Sequence, residues 1–310
     1  MRHAALLLAL AALAAHAQPG APFAPQVVIK SGAPKPITQE GEYTESSLRN
    51  GVSATQDQCA AVSHSVWAQT PQGEQACLRY WAEGFEPGKA VPRAVVYFLG
   101  DAWSNGTMAP NYPQLTHASL AAAAKARARQ LGLPYILVAR PGTLGASGDH
   151  MERRRPAESR IISAALDVLR SRYGISEFAA AGYSGGGHVV ASLLTLRSDI
   201  VCAVPTASVT APRLRWTLHN WTRDATGYSD SYEPTEHLDP ARMHPKLRVF
   251  VVGDPLDSNA KWPAQTLLAE KLTALKLPAW IVEGEGTGRE RHGGLGDLAH
   301  RVAGWCAQEM

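Results

Sequence analysis

Short, largely apolar runs alternate with longer segments of helical periodicity over most of this chain, and that alternation leaves few folds open. The runs at 93–99, 134–139, 178–182, 200–205, 247–252 and 279–282 are four to seven residues long. Continuous apolar character of that length suits strands buried on both faces. An earlier strand is expected over 77–85. Helices are expected over 114–131, 156–173, 186–196, 263–275 and 295–307. In the second of these, Ile161, Ile162, Ala165, Leu166 and Leu169 recur at helical spacing, and Pro156 suits a first turn. Such an order predicts a mostly parallel sheet with helices on both faces. Only 210–245 breaks the pattern. It carries Trp216, Trp221, Tyr228 and Tyr232 without periodicity, so it is expected as an insert or lid. Its aromatics would line an acyl or side-chain pocket, with core packing as the competing role.

The N-terminus reads as a targeting signal. Met1-Arg2-His3 is followed by an apolar stretch over 4–15 and by Ala15-His16-Ala17, an A-x-A cleavage pattern. The stretch is too short to span a bilayer, which takes about 20 residues. Residues 1–17 are therefore expected as a signal peptide, 18–58 as an N-terminal arm, and 59–310 as the folded domain. Export, to the periplasm or the medium, gives the four cysteines a structural meaning, because disulfides persist in oxidising compartments. Cys59–Cys77 and Cys202–Cys306 is the favoured pairing of the three that four cysteines allow. With 30 basic and 27 acidic residues the formal charge is +3, which gives no reason to expect a nucleic-acid partner.

The residues Gly182-Tyr183-Ser184-Gly185-Gly186 form a G-x-S-x-G motif between an expected strand and an expected helix. That context suits a sharp turn exposing the Ser hydroxyl, with small neighbours to avoid clashes. A serine hydroxyl needs a base, and the base needs an orienting acid. His292-Gly293-Gly294 follows the last apolar run, and Gly253-Asp254-Pro255-Leu256-Asp257 follows the one before it. Ser184, His292 and Asp257 are thus the candidate catalytic residues. Asp254, at the strand end, suits local turn hydrogen bonds and is the alternative acid. His188 lies inside the helix after Ser184, while His244 and His300 are expected as solvated surface residues. Gly185 N–H and Asp101 N–H are the candidate oxyanion donors, with Ala102 as a second choice for the latter. No histidine or cysteine spacing suits a metal site.

On Gly182-Tyr183-Ser184-Gly185-Gly186, Asp257 and His292-Gly293, the sequence resembles the α/β-hydrolase fold family from about Cys59 to Cys306. More narrowly, it resembles the prolyl-oligopeptidase and dienelactone-hydrolase-like branches. The resemblance implies an eight-stranded, mostly parallel sheet and hydrolysis of esters or amides without a cofactor. Two departures stand out. Leu99-Gly100 occupies the place of the His-Gly found in many members, and the chain has no room for the β-propeller of the larger prolyl peptidases.

Arg140 and Arg153-Arg154-Arg155 follow the fourth strand of the family order. They could bind a substrate carboxylate or phosphate, against the simpler reading of a surface pair between Arg154 and Glu158. Tyr183 and Trp103 join Arg140 as candidate substrate contacts. The expected function is that of an exported serine hydrolase cleaving a carboxylic ester through an acyl-enzyme. The same residues would serve a peptidase or amidase, and a non-catalytic binding module is the alternative of another class. A small ester or peptide is the expected partner, with no nucleic acid and no stable membrane insertion.

Overall fold

A computed structural model describes residues 25, 28–104 and 106–309. The expected signal peptide at 1–17 lies outside the described residues. Eight strands form the main sheet: β1 (Ser65–Gln69), β2 (Gln75–Glu83), β3 (Val91–Phe98), β4 (Tyr135–Val138), β5 (Ile175–Tyr183), β6 (Ile200–Thr206), β7 (Arg248–Gly253) and β8 (Ala279–Glu283). Their order is β8-β7-β6-β5-β3-β4-β2-β1. Only the β1–β2 and β2–β4 pairs are antiparallel. The middle strand, β5, carries Phe178, Ala179, Ala180 and Ala181, all fully buried. At the far edge, β8 has a neighbour on one side only, and Trp280 is 44% exposed although its run is apolar.

Eight α-helices are present among the described residues, beside two short two-stranded sheets and four 3-10 turns: α1 (Glu45–Asn50), α2 (Gln56–Ala60), α3 (His117–Leu131), α4 (Pro156–Tyr173), α5 (Gly185–Leu193), α6 (Pro212–Leu218), α7 (Trp262–Ala274) and α8 (Gly296–Gln308). The local chemistry sets several ends. Thr116 caps α3 by accepting from Ser119 N–H, with Ser119 reciprocating, and Gly132 ends the helix at φ 62°. Pro156 opens α4, whose five predicted apolar positions are all buried. Helices α3 and α8 pack together on one face of the sheet, and α4 and α5 on the other.

The segment expected as an arm is woven into the body over its described part. Leu48 of α1 is wholly buried in the main core. Ile37 and Val52 join Val62 and the two bridged cysteines, Cys59 and Cys77, in a smaller apolar cluster. Val52 also bridges to Gly148. Both expected disulfides are present. Cys59–Cys77 joins α2 to β2 with the Cα atoms 5.5 Å apart, and Cys202–Cys306 joins β6 to α8 at 6.3 Å.

Of the two histidines expected as solvated surface residues, His300 is buried and His244 is half-buried. His300 is buried under α8, stacked on Tyr97 with ring centroids 4.0 Å apart and hydrogen-bonded to Tyr135 Oη at 2.9 Å. His244 pairs with Glu177 at 3.3 Å. The apolar periodicity of α8 concealed His300, because a histidine on the inner face reads as a polar interruption.

Candidate active site

Ser184 links β5 to α5 with φ 53° and ψ −117°, a conformation that L-residues avoid. One tertiary and one local backbone bond hold it there. Its N–H donates to the Thr206 carbonyl at 2.8 Å, and its own carbonyl accepts from Gly187 N–H at 3.0 Å. The flanking glycines are steric necessities: a Cβ on Gly182 would overlap the Gly186 carbonyl, and one on Gly186 would overlap the Phe98 carbonyl.

The loops after β7 and β8 bring two side chains to Ser184. His292 Nε2 lies 2.9 Å from Ser184 Oγ, and His292 Nδ1 lies 2.7 Å from Asp257 Oδ2. Asp257 is buried and held by N–H donors from Asn259 at 2.8 Å and Ala260 at 3.0 Å. Asp254 points elsewhere. It accepts from Leu256 N–H at 2.8 Å, and from Gly286 N–H and Arg291 Nε, each at 2.7 Å. It thereby ties down the loop that carries His292 without touching the imidazole. Tyr183 completes the support, donating its hydroxyl to the His292 carbonyl at 2.6 Å.

Beside Ser184, the loop after β3 packs so tightly against α5 that a Cβ on Gly185 would overlap the Asp101 carboxylate. Ala102 N–H donates to His150 Nε2 at 3.0 Å. The amides of Asp101 and Gly185 have no such acceptor among the described residues. His150 had no sequence signal, being 48 residues away from Ala102. Burial, followed by the charges of Arg153 and Arg140, holds its imidazole well below the ordinary histidine range. It is therefore neutral, with Nε2 available as an acceptor.

Arg140, Arg153 and Arg154 form a buried ion network instead of a surface pair, while Arg155 stays partly exposed and pairs with Asp230 and Glu152. Arg140 donates to Glu158 Oε1 and Asp101 Oδ1, both at 2.8 Å. Arg154 bonds Asp101 and, through Nη2, Asp224 Oδ2 at 2.7 Å, while its N–H donates to Glu158 Oε2 at 2.6 Å. Glu158 and Arg154 are thus joined through the backbone, and both are inside the protein. The i, i+4 spacing was legible; the fold of the loop that buries it was not. Burial alone would raise the Asp101 carboxyl, but Arg154, Arg153 and Arg140 outweigh it and hold the group well below its usual range.

These elements enclose a cavity of about 350 Å³ that reaches Ser184 and His292. Trp103, Tyr183 and Arg140 line it, as does Tyr112, which nothing in the sequence singled out. None of the four aromatics of 210–245 does. Trp216 Nε1 faces Asp224 Oδ1 at 3.4 Å, Trp221 stacks on His219, Tyr228 Oη bonds Glu152, and Tyr232 Oη bonds Thr195. They brace the segment, which presents Arg215, Ala225 and Thr226 to the cavity instead.

No protein-family model matches the sequence, and a search of curated proteins finds no match. Solved structures do match. Est1E from Butyrivibrio proteoclasticus, solved with ferulic acid bound, aligns at a TM-score of 0.54 and 12% identity, covering 79% of this chain and 98% of that one. Prolyl oligopeptidase B from Galerina marginata aligns at 0.52 and 15%, covering 79% of this chain but 36% of its own. Acylaminoacyl peptidase from Pyrococcus horikoshii aligns at 0.51 and 12%, covering 77% and 39%. The strand order, the turn at Ser184 and these likenesses together establish that this chain has the α/β-hydrolase fold.

Proposed function

We propose that the protein is an exported serine hydrolase that cleaves a carboxylic ester through an acyl-enzyme. The observation that carries this reading is the continuous relay from Ser184 Oγ through His292 to Asp257. Ser184 Oγ attacks the ester carbonyl while His292 Nε2 takes its proton, and Asp257 stabilises the imidazolium. The tetrahedral oxyanion accepts hydrogen bonds from Gly185 N–H and Asp101 N–H. The negative Asp101 carboxylate so close by is offset by its three arginine partners. Collapse expels the alcohol with the proton from His292, and water then deacylates Ser184 with His292 as base.

An ester substrate is favoured because Est1E is matched over 98% of its length, whereas the two peptidases are matched over little more than a third of theirs. Peptide or amide cleavage by the same residues is the second reading, supported by those peptidase likenesses. The two disulfides, together with the A-x-A pattern at 15–17, support export. No described helix is long and apolar enough to cross a membrane.

Fluorophosphonate labelling tests the chemistry. Wild type should take the label and Ser184→Ala should not. Absence of label on correctly folded wild type would favour a non-catalytic binding module. Parallel assays with p-nitrophenyl esters and aminoacyl anilides decide the substrate class; anilide cleavage with inert esters would put the peptidase reading ahead of the esterase.

A further inference from the structure

The wall of the cavity contains a cation without a direct ion-pair partner among the described residues. Arg215, on α6, is 4% exposed and lines the same cavity as Ser184 and His292. Its guanidinium is held rigidly. Nε donates to the Asn259 carbonyl at 3.0 Å, Nη2 donates to Asn259 Oδ1 at 2.7 Å, and the plane lies over Trp221 at 5.0 Å from the ring centroid. Both of these acceptors are neutral. Among the described residues it forms no ion pair with a carboxylate, and its hydrogen bonds use Nε and Nη2 and leave Nη1 without one. The acids whose charge reaches it, Asp224, Asp101 and Asp257, are each engaged elsewhere: Asp224 by Arg154, Trp216 and Thr226 N–H, Asp101 by Arg140 and Arg154, and Asp257 by His292.

The surrounding network does not supply the missing charge. The buried guanidiniums of Arg140, Arg153 and Arg154 already take up Asp101, Glu158 and Asp224 in direct ion pairs, and none of these pairs includes Arg215. Arg140 Nη2 is likewise buried without an acceptor. Burial outweighs the pull of these acids and lowers the Arg215 guanidinium to about 10, so it stays protonated at neutral pH with its desolvation only partly offset. A buried cation is costly unless paired. An anion entering the cavity removes that cost.

We propose that Arg215 is a specificity residue that receives a carboxylate of the substrate, so that the enzyme selects esters carrying a second, anionic carboxyl group. This rests on the hydrolytic reading of Ser184 and deepens it. A guanidinium presents N–H donors in a fixed fork matched to a carboxylate, and its rigid support limits the entropy lost on binding. Trp221 and Asn259 are positioning residues that aim the fork. The carboxylate can sit on the acyl side or on the alcohol side of the scissile bond.

Matched esters separate the two sources. The p-nitrophenyl monoester of adipic acid is compared with p-nitrophenyl hexanoate for the acyl side. A carboxylated p-nitrophenyl hexanoate, with the carboxyl on the ring, serves for the alcohol side. Wild type should favour one charged ester over its neutral counterpart by about tenfold or more in kcat/KM, mostly through KM. Arg215→Gln should reduce that ratio about ten- to hundredfold, the loss expected for one charge-assisted pair. Arg215→Lys, which keeps the charge but not the fork, should retain part of the ratio. Calorimetry of adipate on Ser184→Ala reads binding without hydrolysis, and adding Arg215→Gln or Arg215→Lys should weaken it. Equal treatment of charged and neutral esters in both arms, or adipate affinity unchanged by either Arg215 substitution, overturns the proposal. Loss of fluorophosphonate labelling with adipate binding intact would instead overturn the role of Ser184 and leave the carboxylate site standing.

Discussion

At Ser184 a single residue carries backbone strain, and its neighbours carry the steric cost of maintaining it. The tight approach of Gly182 to Gly186, and of Gly186 to β3, leaves no space for side chains. The approach of Gly182 to Gly186 is local, so the spacing of glycines around one serine between a strand and a helix was readable from the chain, whereas the approach of Gly186 to β3 is tertiary. The acid was readable only as a choice. Asp254 and Asp257 lie in one turn, and the separation into a loop anchor and a partner of His292 depends on where each carboxylate points. Asp257→Asn should therefore lower kcat/KM roughly 10³- to 10⁴-fold on an ester substrate, because the imidazole loses its orienting anion. Asp254→Asn should lower it less than tenfold while reducing thermal stability. Equal kinetic losses in the two variants would show that Asp254, not the contact to Asp257 alone, governs the base.

Among the elements, α8 shows how a helix can conceal a titrating group. It lies against the sheet through Ala299, Ala303 and Cys306, and it also buries His300 against Tyr97 and Tyr135. Burial lowers that imidazole to about 4, while the unfolded chain protonates it near 6.5. Between these values the unfolded state binds more protons, so stability rises with pH through this window and is lost as pH falls from 6.5 toward 4. At pH 5 the effect is on the order of 2 kcal/mol. Urea unfolding of His300→Gln between pH 5 and 7 should show a shallower pH slope than wild type. An unchanged slope would mean that His300 does not stay neutral under α8. Helix α4 behaved more simply. Its apolar stripe, its opening proline and Gly174 just beyond its end, in the left-handed conformation at φ 60°, follow from neighbours in sequence, and its bounds matched expectation. Strand β8 did not. Its apolar run could not reveal that it would sit at an edge with Trp280 half exposed.

Across the whole molecule, the two disulfides close loops of very different length. Cys202–Cys306 spans 104 residues and clips the last helix to a strand near the sheet centre, whereas Cys59–Cys77 spans 18 and secures the satellite cluster. In the chain-entropy picture the longer loop stabilises more. Removing Cys202–Cys306 as a double Cys→Ser variant should cost about 2–4 kcal/mol, and removing Cys59–Cys77 should cost less. Chemical denaturation of the two variants checks the ranking, and a reversed order would place more stability in the N-terminal segment than its cluster suggests. The alternation of buried runs and helices determined the layered α/β architecture, because each period fixes which face an element must bury. The order of Ser184, the acids and His292 along those elements determined which loops could hold a site. Contacts between residues far apart in sequence decided the rest: the contact of His292 with Asp257 and not with Asp254, the inward turn of Arg140, Arg153 and Arg154, and the place of Arg215 in the wall without an ion pair. A charge is legible in a sequence, but its partner and its exposure are properties of packing, and here packing turned an apparent surface pair into the interior of the site.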